Sequence, residues 1–273
     1  MAEFALLAVL GVALGTVATI VGTGGGYLYV PLLLLLYPEK PAATVTAMSL
    51  LIVLSTGTSG SLAYGWQRRI DYPTAGWFAL ATLPGAVGGA LLVHQVPREL
   101  FNVGFAVALL VMGVWLLLPR PVDTIRAPLR GEWVVRRMIT DRERQTFVYS
   151  YRLPDGMALG AGIGFLSSLL GIGGGIMYVP TMAVLLHFPV HIATATSQLL
   201  ATVMAVEATA VHVATGVWAW DRSLTQATAL AVGAVTGAQV GARLAPRVHA
   251  GWIIRVLAVA LIVVSLRLLW SSL

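Results

Sequence analysis

The chain has 273 residues, of which 58% are hydrophobic and 10% are charged, and its formal net charge is +6. Side chains this apolar cannot all enter one soluble core, which excludes an ordinary soluble globular domain. The basic residues are nearly all arginines lying between apolar segments, which argues against a nucleic-acid-binding surface. The lack of cysteine excludes disulfides, thiolate catalysis and thiolate-held metal clusters.

Eight apolar segments follow one another along the chain, and each can cross a bilayer, for which about 20 helical residues suffice. We expect helices, because backbone in lipid must satisfy its own hydrogen bonds and the segments are too uniformly apolar for barrel strands. The first segment has no basic flank and no small-residue cleavage site, so we expect it to stay in the membrane. The segments begin near Phe4, Ala42, Thr74, Glu99, Met157, Ile192, Leu224 and Trp252.

A polar loop, residues 119–156, separates the fourth segment from the fifth. Its eight arginines and five acidic residues place it in the cytoplasm, because basic residues collect on that side of a membrane. A short strand pair near Trp133–Val135 and Thr146–Tyr151 fits its sequence, and a flexible linker is the alternative.

The arginines also predict a topology. With eight simple crossings, both termini lie on the same side as the loop, together with Arg68 and Arg69. Arg98 and Arg247 then lie on the other side, which counts against this arrangement.

An internal repeat divides the chain. The pattern G-x-x-x-G-x6-G-x-G-G-G-x-x-Y-V-P begins at Gly11 and recurs from Gly160. We therefore assign residues 1–118 to a first membrane repeat, residues 119–156 to a cytoplasmic loop and residues 157–273 to a second repeat. Other glycines, at four-residue spacing in the third and seventh segments, indicate close-packing helix ridges. They are Gly85, Gly89, Gly233, Gly237 and Gly241.

Each copy of the pattern should break its helix. Four glycines in five positions destabilise a helix by about 1 kcal/mol each relative to alanine, and a proline follows. Membrane transporters use such interruptions, at matched positions of two repeats, to build a substrate site near the bilayer midplane. The half-helix that follows directs free N–H groups at this point, which favours an anion. Close helix packing or a tight re-entrant turn is the alternative. The candidate glycines are Gly22, Gly24, Gly25, Gly26, Gly171, Gly173, Gly174 and Gly175.

These segments resemble the sulfite exporter TauE/SafE family, also called the toluene-sulfonate uptake permeases. The likeness rests on the paired G-x-G-G-G-x-x-x-V-P segments, on the run Ala193–Ser197, and on Gly-Ala-x-x-Gly-Ala followed by Arg243. It spans both halves, although the central loop is long and Ala47-Met48-Ser49 stands where the second half has Thr196-Ser197-Gln198. The resemblance implies an inner-membrane transporter of sulfite, sulfonates or sulfoacetate, driven by an ion gradient.

Polar residues within the apolar segments are further candidates, because burying them is costly. Neutral donors can bind a sulfonate without a buried permanent charge, and bonding between helices is the alternative. The residues that we assign to substrate binding, besides the glycines, are Tyr29, Ser49, Tyr178, Thr194, Thr196, Ser197 and Gln198.

Two titratable residues are candidates for proton coupling. Glu207 is the only acidic residue deep in a segment, and it is either a proton acceptor or a structural carboxyl. His212 lies near the end of the same segment, where an interfacial role is the alternative. In a regular helix Glu207 lies opposite the stripe that runs from Gln198 to His212. Glu207 and His212 therefore cannot both face one small ligand.

The sequence thus predicts an all-α polytopic membrane protein with two homologous four-segment repeats, each with a broken first helix. It has about eight transmembrane segments, or ten if each broken helix crosses twice. Four crossings per half make the repeats parallel, and five make them inverted.

The expected function is ion-coupled transport of a small anion across the inner membrane. A proton and sodium are the candidate coupling ions, and a homodimer is an open alternative. A passive channel, a membrane enzyme and a non-transporting assembly partner are the competing functions. We expect no cofactor or metal, because no spacing resembles a metal site and no nucleophile stands beside a base.

Overall fold

A computed structural model describes residues 2–118, 131–216 and 222–272. Ten α-helices and one β-hairpin make up these residues, and six of the helices are long and apolar enough to cross a membrane. The chain is therefore an all-α polytopic membrane protein, as predicted. The helices are α1 (Ala2–Val21), α2 (Gly26–Leu36), α3 (Ala42–Trp66), α4 (Tyr72–Leu92), α5 (Arg98–Leu117), α6 (Leu153–Leu170), α7 (Gly175–Pro180), α8 (Val190–Ala214), α9 (Arg222–Leu244) and α10 (Ala250–Ser272).

Prolines set several helix starts. Pro41, Pro97 and Pro189 precede the first residues of α3, α5 and α8, where a fixed φ is compatible with the first helical turn. Pro180 ends α7 and is followed by a π-helical turn, Thr181–Leu185. Proline has no N–H to donate to the preceding turn, which weakens the helix at this point.

The two central helices, α3 and α8, are the most buried of the long apolar helices: 72% and 50% of their apolar windows are inside the protein, against 33–39% for the other four. Around them α1 packs on α9, α4 packs on α6, and α5 packs on α10. Each pair joins a helix of the first half to one of the second. The halves are therefore interleaved and share one core.

Glycine ridges allow the close α1–α9 and α4–α6 contacts. A Cβ on Gly15 would lie 2.7 Å from the carbonyl oxygen of Ala234, and one on Gly164 would lie 2.5 Å from that of Thr82. The glycines at 85, 89, 233, 237 and 241 meet backbone of the partner helix in the same way. Their prediction as packing ridges is confirmed.

Corresponding helices of the two halves run in opposite directions. The amide of Asp71, just after α3, donates to Thr196 Oγ1 near the start of α8 (3.1 Å). The end of α3 therefore lies beside the beginning of α8. Gln67 also donates to the carbonyl of Ala242, so α9 ends on this same face. Of the two arrangements left open by the sequence, this is the inverted one.

The helix directions correct the predicted topology. Gly233 lies against Ala8 and Gly241 against Thr16, so α1 runs parallel to α9 and begins on the face opposite Gln67. Arg247 lines a cavity with Phe147 of the hairpin, so it lies on the loop's face and not across the membrane. The prediction fails because each broken helix turns back instead of making one simple crossing.

The central loop contains a β-hairpin, as one of the two interpretations predicted. Strand β1 (Val134–Thr140) pairs antiparallel with β2 (Thr146–Arg152), in a register that sets Val134 opposite Arg152. Asp141 holds the turn, since its Oδ1 accepts from the amide of Gln145 at 2.9 Å. Helix α6 follows β2 directly. Residues 119–130, with Arg120, Arg126 and Arg130, lie outside the described part of the chain.

Candidate functional site

The first helix of each half is interrupted at its glycine cluster, where the sequence predicts it. Helix α1 ends at Val21 and α2 begins at Gly26, whereas α6 ends at Leu170 and α7 begins at Gly175. Three glycines in each break have φ between +68° and +93°. Other residues adopt this conformation at a cost, so glycine is needed here. These residues are Gly22, Gly24, Gly25, Gly171, Gly173 and Gly174.

The two breaks meet at the centre of the protein. A Cβ on Gly26 would lie 2.5 Å from the carbonyl carbon of Ile172, and a Cβ on Gly175 would lie 2.5 Å from the Cα of Thr23. Both clusters are fully buried. Val53 and Ala201, near the midpoints of α3 and α8, flank the contact. The glycines thus bring two stretches of non-helical backbone together at mid-depth.

Backbone donors remain unused at this contact. Among the hydrogen bonds of the described residues, none uses the N–H groups of Gly25 and Gly26 in the first break, or of Gly173 and Gly174 in the second. At the beginning of α2, the amides of Leu28 and Tyr29 are already used, since both donate to the carbonyl of Gly25. Both breaks therefore present donors with no competing acceptor.

Gln198 connects the first break to the central helices. Its Oε1 accepts from the amide of Gly24 at 3.2 Å, and its Nε2 donates to the carbonyl of Thr56 (3.3 Å) and to Thr19 Oγ1 (3.4 Å). Gln198 is among the residues that the sequence indicates for substrate binding, whereas Thr19 is not. The available signal was weak: the position equivalent to Thr19 at the spacing of the repeat is Ser168, which is also a hydroxyl.

Two serines bind the breaks in a symmetric way. Ser49 Oγ of α3 donates to the carbonyl of Gly171 (2.8 Å), and Ser197 Oγ of α8 donates to the carbonyl of Gly22 (2.5 Å). Ser49 thus corresponds to Ser197, and not to Gln198 as the spacing of the glycine pattern implied. The alignment shifts by one residue between the first and second helices of the halves, which the glycine motif alone could not reveal.

Several buried hydroxyls beside the breaks have no hydrogen-bond partner among the described residues. Thr46 and Thr194 contact Gly171 and Gly22, and Ser167 lies 3.3 Å from the position of a Cβ on Gly174. Ser168 is unpartnered as well. These hydroxyls add donors to those of the backbone.

The remaining candidates for substrate binding surround the breaks, and the ring of Tyr29 lies against Gly25. Tyr29 is hydrogen-bonded to Thr56 through their side-chain oxygens at 3.1 Å. Tyr178 stacks on Phe78 at 6.1 Å, and its hydroxyl has no hydrogen-bond partner in the part of the chain that the structure describes. Thr196 accepts from the amide of Asp71 and so is directed toward the start of α4.

The two candidates for proton coupling meet different segments: Glu207 meets Thr82 of α4, and His212 meets His94, which follows α4. Glu207 is half-buried and accepts from Thr82 Oγ1 at 3.4 Å. The buried ring of His212 is 5.5 Å from that of His94, and neither of its nitrogens has a partner among the described side chains. No hydrogen bond of the described residues joins either one to a glycine cluster.

The electrostatics of the centre are set by neutral groups. In the part of the chain that the structure describes, the buried ionised side chains are Arg69, Asp71 and Asp141, and all three lie at the hairpin face. The donors around the breaks are amides and hydroxyls. Such a set can bind an anion, whereas a cation would find few acceptors there.

A buried ion-pair cluster fixes the hairpin to the helices. Arg137 donates to the carboxylate of Asp71 from Nη2 (2.7 Å) and Nε (3.0 Å), and Tyr149 donates its hydroxyl to the same carboxylate (2.6 Å). The hydrogen bond to Asp71 raises the pKa of Arg137. Burial and the negative charge of Asp71 raise the pKa of Tyr149, so its phenol stays protonated and remains a donor.

The hairpin also covers the outer end of the second broken helix. The ring of Phe188, just after the π-helical turn, packs against Tyr149 at 4.4 Å and Tyr151 at 5.0 Å. In the first half an arginine takes this place: Arg98 donates to carbonyls at the end of α2, including that of Leu34 at 3.3 Å. This difference between the halves could not be predicted from the sequence.

The fold and its centre define a class of protein: a multi-pass helical membrane protein whose two discontinuous helices meet back to back at mid-depth. The chain belongs to the sulfite exporter TauE/SafE family, whose model matches residues 7–268. Membership confirms the family resemblance. It also confirms a multi-pass membrane location and a membrane transporter as the class of function.

Three relatives carry similar names. The chain is 29% identical to the probable membrane transporter protein YunE of Bacillus subtilis, over 99% of this chain and 98% of that protein. It is 27% identical to a probable membrane transporter protein of Haemophilus influenzae, over 64% and 59%. It is 24% identical to the probable membrane transporter protein MJ0441 of Methanocaldococcus jannaschii, over 70% and 66%. No solved structure matches. These names indicate transporters rather than enzymes.

Proposed function

We propose that this protein is a secondary transporter that moves a small sulfur-containing anion, of the sulfite, sulfonate or sulfoacetate type, across the inner membrane. The observation that carries the proposal is the contact between two glycine-rich breaks with unused N–H groups. Sulfur chemistry comes from the family description. The tetrahedral or pyramidal oxyanion of such a substrate accepts several hydrogen bonds, and these breaks offer several donors.

The proposed binding site combines both breaks with the polar side chains above them. It includes the glycine clusters and the two serines, Ser49 and Ser197, that orient the breaks. It also includes Gln198, which accepts a hydrogen bond from the amide of Gly24. Thr194 supplies an unpartnered hydroxyl. Substrate would separate the two backbone segments, which now touch. Tyr29, Tyr178 and Thr196 belong to the wall of this site.

Burial of the breaks favours a carrier over a passive channel. Every residue of both clusters is buried in this structure, as expected of an occluded state between openings to either side. Inverted halves allow alternating access by movement of one half against the other around a fixed centre.

A panel of anions tests the substrate class. Purified protein should be stabilised against heating by sulfite or sulfonates, because a ligand that binds only the native state raises its stability. At a hundredfold excess over Kd the gain is about 2.7 kcal/mol. Thr194→Ala should fold, because the lost hydroxyl has no hydrogen-bond partner among the described residues. It should reduce this stabilisation, because the proposed site loses one donor. Equal stabilisation by carboxylates, or none by any sulfur anion, would contradict the proposal.

We further propose that Glu207 accepts the coupling proton, with His212 as a second proton site on the same helix. The positions of Glu207 and His212 support this role, because both are polar groups within the bundle and near α4. Glu207→Gln should leave uptake that no longer responds to a proton gradient. Glu99→Gln, at an exposed position at the start of α5, is the matched control and should keep the response.

Flux in sealed vesicles decides the coupling ion. Uptake that a sodium gradient drives equally well without a proton gradient would make sodium the coupling ion and remove Glu207 from this role. Uptake that never exceeds equilibrium would contradict ion-coupled transport and would be compatible with a passive channel. Light scattering in detergent determines whether the carrier is a monomer or the homodimer that the sequence left open.

A further inference from the structure

A cationic cavity lies at the hairpin face, away from the contact between the breaks. It has a volume of about 650 Å³ and is formed where the end of α3 meets the hairpin turn. Its lining residues are Gly65, Trp66, Arg68, Thr140, Asp141, Arg142 and Arg144. None of the residues proposed for transport lines this cavity.

The charge of this cavity is not balanced by its own acidic residue. Asp141 is buried and held by Arg69, whose Nη2 donates to it at 2.7 Å. Glu143, the neighbouring acid, also approaches Arg69, at 3.5 Å. Within the described parts of the chain no carboxylate comes within ion-pair distance of the other three guanidinium groups. They belong to Arg68, Arg142 and Arg144.

The backbone around the cavity is unusual at two of these arginines. Arg68 has φ of +59° and Arg144 has φ of +65°, the left-handed region that non-glycine residues seldom adopt. The surrounding turns hold them there, since the amide of Arg68 donates to Gly65 and that of Arg144 donates to Asp141. These two turns place both arginines in the lining of one cavity.

An exposed apolar strip of α3 leads up to the cavity. Leu62 and Trp66, one helical turn apart, are each 69% exposed, and Thr58 continues the exposed face one turn deeper. The guanidinium of Arg142 lies 3.6 Å above the ring of Trp66. An apolar strip within the membrane thus ends at an aromatic ring and three cations. A phospholipid is complementary to this arrangement, because its acyl chain is apolar and its phosphate is anionic.

We propose that this cavity binds the phosphate headgroup of an anionic phospholipid, with an acyl chain along the Leu62 face of α3. The arginines recognise the phosphate through charge-assisted hydrogen bonds. A lipid fits better than a soluble phosphate because the apolar strip adjoins the cations. The bound lipid bridges α3 and the hairpin turn.

Native mass spectrometry of protein from mixed phosphatidylglycerol and phosphatidylcholine tests the proposal. The wild type should retain phosphatidylglycerol selectively. The double variant Arg68→Gln and Arg144→Gln should bind it at least tenfold more weakly, since each basic residue near an anionic surface contributes roughly fivefold. Arg136→Gln, an exposed hairpin arginine outside the cavity, is the matched control and should bind as the wild type does.

Thermal unfolding separates lipid from free phosphate. Phosphatidylglycerol should raise the melting temperature of the wild type but not of the double variant, and inorganic phosphate at the same concentration should raise neither. Stabilisation by inorganic phosphate alone would replace the lipid with a soluble anion. Equal retention of phosphatidylglycerol by the wild type and the double variant would overturn the site. Neither readout depends on transport, so a failure here is distinct from a failure of the proposed function.

Discussion

Gly26 and Gly175 lie where two backbone segments approach more closely than any side chain permits. Each faces main-chain atoms of the other break, namely those of Ile172 and Thr23. Main chain cannot rotate away as a flexible side chain can. The close contact therefore depends on the absence of a Cβ at these two positions.

Gly26→Ala should destabilise the protein by about 3 kcal/mol, the upper range for an overpacked core. Gly104, within α5, is the matched control because a Cβ there meets nothing within 4 Å. Gly104→Ala should stabilise by about 1 kcal/mol, the difference in helix propensity. Thermal unfolding in detergent measures both, and a neutral Gly26→Ala would contradict the observed contact.

At the level of single residues, the sequence indicated most of the polar groups around the breaks. Gln198, Ser197 and Ser49 all contact a glycine cluster. The pairing of Ser49 with Ser197 was missed because the two helices are offset by one residue relative to the glycine motif. A polar side chain in an apolar segment stands out in a sequence, but its partner depends on tertiary packing.

The β-hairpin is the one element that belongs to neither half of the helical bundle. Two ion pairs with buried carboxylates, Arg137 with Asp71 and Arg69 with Asp141, attach it to the connection between α3 and α4. Breaking such a pair leaves an uncompensated charge away from water. The attachment of the hairpin to the helices should therefore be sensitive to single substitutions in these pairs.

Arg137→Gln should lower the stability of the protein by about 3 kcal/mol, because the carboxylate of Asp71 stays buried without its cation. Arg136, the preceding residue on β1, points to solvent. Arg136→Gln should change stability by less than about 0.5 kcal/mol. Unfolding midpoints of the two variants give the comparison, and similar midpoints would mean that the hairpin is not held by this pair.

The helices and strands could largely be foreseen. Apolar length predicted the membrane helices, glycine content predicted the two breaks, and the strand pair was one of two interpretations of the loop. The docking of the hairpin could not be foreseen, since Asp71 and Arg137 are far apart in the chain. Charges in a loop are usually solvated, and only the fold shows which of them are buried.

At the scale of the whole molecule, the two halves share one core and run in opposite directions. Helix α1 of the first half packs on α9 of the second, and α4 packs on α6. The sequence revealed the repeat but left its orientation open. Counting apolar segments could not decide this, because a broken helix that turns back looks like a single apolar segment.

The topology can be tested by cysteine labelling. The chain has no native cysteine, so only an introduced cysteine can react. Glu39, between α2 and α3, and Gln145, in the hairpin turn, are both exposed and lie at opposite ends of α3. A membrane-impermeant thiol reagent added to intact cells should label Glu39→Cys and spare Gln145→Cys. Labelling of both or neither would contradict opposite faces, and the reverse pattern would place the hairpin outside the cell.

The hairpin gives the transporter an asymmetry that its inverted halves lack. One broken helix ends under Tyr149 and Tyr151, whereas the other ends at the guanidinium of Arg98. Opening toward the hairpin face must disturb the Tyr149 and Tyr151 packing, and opening toward the far face need not. We therefore expect unequal lifetimes for the two open states, so the carrier rests facing one compartment even when no gradient is present.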